Sequence, residues 1–309
     1  MSTRSGVTAS MAALAVVCGI AACGVPVSDG SRSVVSRVDR APTSPEPSAV
    51  VSLPATSSGA TAVDTADRLG GPQPVTPCQQ IAYDIGTEHP TATQVVVVIT
   101  STSVATTADL QVARLTEKGW ICTAAMSARV GRSGVRPLVD RRSGDGTTPA
   151  GVFPLGVMTA WDGQVFSLFG NSLDPGVSAG PYRRVRTGDC FGATPNHPDY
   201  GHLVYRSAAE CPGPDDEYLP KYTGTYEHAA LIGANMEPDV SGDAPGEIPY
   251  AAAIFLHRHS YDSSGTSKPT SGCVSLGHDD LVAVLRSLRP GVVFAIGTEA
   301  WLLDGGWST

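Results

Sequence analysis

"AAAIFLHRHSYDSSGTSKPTSGCVSL", residues 251–276, sets one apolar run against a second, shorter one across a loop of Ser, Gly, Thr and Pro. The first run ends at His257 and the second follows Gly272-Cys273. Apolar runs this short, bounded by turn formers, read as buried strands. The punctuation recurs in "GVRPLV" (134–139), "GVFPLGVMTA" (151–160), "HAALIGAN" (228–235) and "VVFAIG" (292–297), which Gly, Pro, Asn and Asp clusters separate. The pattern predicts a mostly β chain, a sandwich or barrel with few helices. One helix is clear. "HDDLVAVLRSLRPG" (278–291) opens with acidic residues, places Leu281, Val284, Leu285 and Leu288 on one face, and stops at Pro290-Gly291.

Upstream, "TQVVVVIT" (93–100) reads as a buried strand, and "TTADLQVARLTEKG" (106–119) as a helix on the spacing of Leu110, Val112 and Leu115 with a Gly stop. "WICTAAMSARVG" (120–131) returns as a strand. The expected layout is a small α/β segment over 77–124, a main β domain over 125–298 and a tail over 299–309, with no internal repeat.

The chain has 309 residues, 41% of them hydrophobic, enough for a proper core. Its net charge of -8, with no basic cluster, argues against nucleic acid as a partner. Arg4 precedes an apolar stretch, Met11 to Ala22, that is too short to span a bilayer and suits an export signal over residues 1–22. Ile20-Ala21-Ala22-Cys23-Gly24 closes it and resembles a bacterial lipobox, in which Cys23 becomes the lipidated first residue; cleavage at an ordinary small-residue site is the alternative. Residues 23–76, as in "RAPTSPEPSAVVSLPATSSGATAV" (40–63), are too poor in periodic apolar positions to offset their ordering entropy. They read as a disordered linker that would hold the folded part about 40 Å from a membrane. The expected location is the outer face of the cytoplasmic membrane, within reach of a cell wall.

Of seven cysteines, Cys18 lies in the export signal and Cys23 carries lipid. Five remain: Cys78, Cys122, Cys190, Cys211 and Cys273. In an oxidising compartment four pair and one is left over. Cys190 and Cys211 flank a loop-rich insert and make one pair, and Cys78 with Cys122 follows by elimination, although sequence alone fixes neither. Cys273 is then the free thiol. A thiol needs a nearby base to act as a nucleophile, and His257 stands across a loop of 15 intervening residues able to double back. Gly272 leaves backbone N–H groups unobstructed for an oxyanion hole. His259 competes with His257 for the role of base, and Asp262 is either an orienter of His257 or a turn former. Zinc on His257, His259 and Cys273 lacks any supporting Cys-x-x-Cys or His-Glu-x-x-His element. Papain-like and NlpC-type enzymes place Cys before His, the reverse of the order here, and sortases separate the two much more widely. The acidic "CPGPDDEYLPKY" (211–222) reads as a solvated insert or as one wall of a substrate groove.

The run "FLH", the Ser/Gly loop and "TSGCVSL" together resemble the His…[Ser/Thr]-x-Gly-Cys signature of the YkuD-type L,D-transpeptidase catalytic domain. "GDGTTPAGVFPLG" (144–156) is similar to that family's Thr-Pro-x-Gly-x-Phe strand, and "YEHAALIGAN" (226–235) and "CFGATPNHPDYGHLV" (190–204) suit a subgroup of it. The resemblance spans roughly residues 125–297. It implies a sandwich-like fold with few helices, Cys273 as nucleophile, His257 as base, and Gly272 and Ser271 at the oxyanion and substrate position. It also implies peptidoglycan stem peptides as partners, 3→3 cross-links as product, no metal or organic cofactor, and acylation by carbapenems. The family commonly reads Ser-His-Gly-Cys-Ile/Val-Arg where this chain has Thr270-Ser271-Gly272-Cys273-Val274-Ser275. The arginine after the cysteine is therefore missing, and Arg258 or Lys268 stand as its substitutes.

Overall fold

The computed structural model describes residues 76–211, 213, 215–236 and 251–308. The export signal, Cys23 and the linker as far as residue 75 lie outside the described residues. Three helices occur among the described residues: α1 (Pro77–Glu88), α2 (His278–Ser287) and α3 (Glu299–Leu303). The strands, in chain order, are β1 (Gln94–Thr100), β2 (Thr107–Thr116), β3 (Gly119–Cys122), β4 (Met126–Arg129), β5 (Val135–Pro137), β6 (Thr148–Pro154), β7 (Met158–Thr159), β8 (Val165–Phe166), β9 (Leu168–Gly170), β10 (Tyr182–Arg184), β11 (Asp189–Phe191), β12 (Leu203–Tyr205), β13 (Glu217–Tyr218), β14 (Ala229–Leu231), β15 (Phe255–Arg258), β16 (Val274–Leu276) and β17 (Val293–Thr298). The fold is mostly β, with a large mixed sheet in the order β10-β9-β14-β15-β16-β4-β2-β1-β17-β6-β5 and β3 paired beside β2. A three-stranded sheet, β12-β11-β13, and the β7-β8 pair complete it.

The four valines of β1 show why its sequence does not alternate. Val96 and Val98 enter one core with Phe294, Ile296 and the α2 residues Leu281, Val284 and Leu285, while Val95 and Val97 enter another with Ile81, Ile85, Trp120 and Leu302. A strand covered on both faces is apolar at every position. α1 starts where Thr76 accepts a hydrogen bond from the Gln79 N–H (3.3 Å) and Pro77 fills the first turn, which has no use for its missing donor. The Cys78–Cys122 disulfide ties this helix to β3, and Cys190–Cys211 closes the insert that carries β12.

The helix expected over 106–119 is instead β2. Ala108, Leu110 and Val112 are buried and alternate with the exposed or half-buried Thr107, Asp109 and Gln111, a period of two, and the strand pairs with β1, β3 and β4. The helix-forming Leu, Ala and Arg of this stretch are overruled by ladder hydrogen bonds on both sides, since propensity is the weaker influence. The boundary drawn at 124/125 falls between two strands of one sheet, because β1 pairs with β17 and β2 with β4. Residues 299–303, placed in a tail, form α3, with Thr298 capping the Trp301 N–H.

Candidate active site

β15 and β16 run parallel, with Leu256 opposite Val274 and His257 opposite Ser275. One residue before this register begins, the Phe255 N–H reaches the Cys273 Sγ at 3.4 Å. Phe255 and His257 are two apart on one strand and share a face, so the thiol and the imidazole stand on the same side of the sheet. Two residues of rise and one strand spacing separate their backbones by about 8 Å. Both side chains line one cavity with Glu217, Tyr226, Lys268, Thr270 and Ser271.

Cys273 is unpaired and buried, whereas the other four described cysteines are in disulfides. Burial, with the charge of Glu217, pushes the thiol up to about 12, against the opposing effects of the Phe255 N–H and Arg141. Its S–H donates to the Ala253 carbonyl at 3.2 Å, and not to the imidazole. Ala253 adopts φ of 53°, a left-handed conformation uncommon for a residue with a Cβ. Burial also lowers His257 to about 4, so the imidazole is neutral. Its Nδ1 lies 2.7 Å from the Arg258 carbonyl, an acceptor only. Nδ1 therefore carries the hydrogen, and Nε2 keeps a free lone pair, the tautomer a base requires. The Tyr226 ring meets the imidazole edge-on at 5.5 Å between centroids.

A second cavity also reaches Cys273, lined by Arg141, Ser143, Glu217, Ser271 and Gly272 among others. Gly272 has φ of 149°, and a Cβ there would meet the Thr147 carbonyl at 3.0 Å and the Arg141 guanidinium at 3.1 Å. Only glycine fits this conformation and approach. Its N–H is donated to Thr270 Oγ1 at 3.1 Å, so Gly272 serves the site by shape and not as the open donor the sequence suggested. The Cys273 carbonyl is fixed by the hydroxyls of Thr270 (2.6 Å) and Thr148 (3.2 Å).

Arg141 is the residue that sequence reasoning missed. It is 2% exposed, follows the 3-10 turn Leu138–Asp140, donates to the Thr147 carbonyl at 3.1 Å and pairs with Asp145 at 3.8 Å. Burial lowers its pKa while Asp145, Tyr200 and Cys273 act to raise it. A buried guanidinium beside Gly272-Cys273 is suited to hold a developing negative charge. Of the two expected substitutes for the missing arginine, Lys268 lines the cavity with His257. Arg258 is instead paired with Glu227 at 2.6 Å and lines neither cavity. His259 bonds the Ser275 hydroxyl at 2.9 Å and stays outside both cavities. The Asp262 carboxylate accepts from the N–H groups of Ser264 and Thr266, the turn-forming alternative. The acidic insert supplies Asp215 and Glu217 to the cavity walls.

No protein-family model, curated protein or solved structure matches the chain.

Proposed function

We propose that the chain is a cysteine acyltransferase of the L,D-transpeptidase kind, acting on peptidoglycan stem peptides. The observation that carries this reading is the single cavity that holds the unpaired Cys273 and the free Nε2 face of His257. Because both partners start neutral, proton transfer accompanies attack instead of preceding it. As Sγ bonds to the carbonyl carbon of the stem's third residue, the thiol proton passes to Nε2 and the carbonyl oxygen gains charge near Arg141. The carbon–nitrogen bond to the terminal D-Ala then breaks, the imidazolium returns the proton to the leaving amine, and a thioester on Cys273 remains. A neighbouring stem's amine resolves it to a 3→3 cross-link; water in its place makes the activity a carboxypeptidase. Neither step calls for a metal or organic cofactor. A lipid anchor on Cys23 would place this work at the cell wall.

A second reading has one observation behind it: the thiol is held protonated and donates to Ala253, as it would in an inactive domain that only binds cell-wall peptide. Mass spectrometry of the full chain with a diaminopimelate-containing stem tetrapeptide separates the two. A D-Ala-less acyl adduct on Cys273, lost in Cys273→Ala and blocked by a carbapenem, is the expected result. Peptide binding without adduct or turnover in the wild type would refute the enzyme reading and favour the binding one.

A further inference from the structure

Glu217 has no part in the acylation just described, yet it is the acidic side chain that lines both cavities meeting at Cys273. The Tyr226 hydroxyl donates to its carboxylate, and the Tyr226 ring packs edge-on against His257. Facing Glu217 are Arg132, Arg141 and Asp215 in one cavity and Tyr222, His257 and Lys268 in the other.

Proton accounting gives this carboxylate a task. Acylation moves one proton, from the thiol to the leaving amine, and one imidazole suffices. Transfer to an alkyl amine moves two. The acceptor arrives as an ammonium, with an ordinary pKa of about 10.4 for a lysine-like amine, and must lose a proton before its lone pair can attack. As the carbon–nitrogen bond forms, the nitrogen loses a second proton to His257; the carbon–sulfur bond breaks, and the thiolate takes that proton back. Ammonium plus thioester gives amide, thiol and one released proton, and the released proton needs its own acceptor.

We propose that Glu217 is the base that takes this first proton from the acceptor ammonium, and that it thereby favours an amine over water as the group that resolves the thioester. The inference rests on the acyltransferase reading. Arg141 and Lys268 assist by disfavouring a cation in the same space. Burial raises the Glu217 carboxyl to about 7 while the Tyr226 hydrogen bond opposes the rise, so it exchanges protons readily near neutral pH.

The test compares the ratio of amide to hydrolysis product from the full chain, using the stem tetrapeptide as donor and either a diaminopimelate stem or methoxyamine, which is uncharged at neutral pH, as acceptor. Glu217→Gln is expected to lower that ratio about 100-fold or more with the ammonium-bearing stem and to leave it near the wild-type value with methoxyamine. Tyr226→Phe, which removes a hydrogen bond to the carboxylate, is expected to move the pH midpoint of transfer upward. A wild-type ratio in Glu217→Gln with the stem acceptor, or an equal loss with both acceptors, overturns the proposal. A wild type that forms no thioester at all overturns the acyltransferase reading and this proposal with it.

Discussion

Replacing Glu217 by Gln is expected to stabilise the fold, and more so as pH rises. The carboxyl titrates at about 7 in the folded protein against an ordinary 4.5, burial being the main cause and the Tyr226 hydrogen bond opposing it. Below 4.5 both folded and unfolded chains hold the proton, and ionisation costs nothing. Between 4.5 and 7 the unfolded chain releases the proton and the folded one does not, so stability falls; above 7 the full penalty is in place. A shift of about 2.5 units corresponds to roughly 3.4 kcal/mol, which solvent screening at a partly exposed carboxyl trims to roughly 2–3 kcal/mol. Gln is isosteric, cannot ionise, and still accepts from Tyr226 through its amide oxygen. His257 acts in the opposite direction, its lowered pKa of about 4 removing stability as pH falls below about 6.5, but it is common to both proteins and cancels in the difference. Urea denaturation of wild type and Glu217→Gln from pH 4 to 8 reads this difference. A gap that widens by 2 kcal/mol or more with rising pH is expected; parallel curves would refute the burial argument. A residue that destabilises the fold while lining two cavities is the pattern expected of a functional group.

Gly272→Ala forces a Cβ against the Thr147 carbonyl and the Arg141 guanidinium in a conformation hostile to side chains, and should cost about 1–3 kcal/mol in thermal unfolding and slow acylation of Cys273. Replacing Cys78 and Cys122 together by Ser opens a loop of 44 residues and should remove about 4 kcal/mol by the chain-entropy relation, measurable by denaturation. The same change at Cys190 and Cys211, with a separation of 21, should remove about 3 kcal/mol. Arg141→Met, of similar length but uncharged, should lower the single-turnover acylation rate at least about 100-fold while far-ultraviolet circular dichroism stays native; an unchanged rate would remove Arg141 from charge stabilisation.

The elements legible in the sequence were those decided by local pattern. The strand at 93–100, the helix from His278 and the runs at 151–160, 228–235 and 251–257 all appear in the fold, and the two disulfide pairings, which the sequence left open, form as expected. β2 was not legible, because Leu110, Val112 and Leu115 suit a helical face as readily as a strand, and only pairing with β1 and β4 decides between them. α1 was passed over although Thr76-Pro77 is a helix-start signal, its apolar residues being few. In the site, His257 and Cys273 could be found because His257 ends an apolar run and Cys273, just ahead of the next, is the odd cysteine left over. Arg141 could not: it lies in a polar turn, "DRRSGDG" (140–146), and its buried guanidinium packs close to Gly272, more than a hundred residues away. The hint available was indirect: the resemblance led to an expected arginine after Cys273, where Ser275 stands, and the substitutes read from the sequence were Arg258 and Lys268.

The position of β17 has a bearing on how the chain comes together. This last strand enters between β1 and β6, pairing in parallel with the first strand and antiparallel with β6. A nascent chain therefore holds the valine-rich edge of β1 without its partner until residues 293–298 arrive. Assembly dominated by so distant a pairing is slow and exposes a sticky edge meanwhile. Such a chain stays open until β17 has been made, and removing residues 293–298 would unseat the centre of the sheet and not merely shorten an edge.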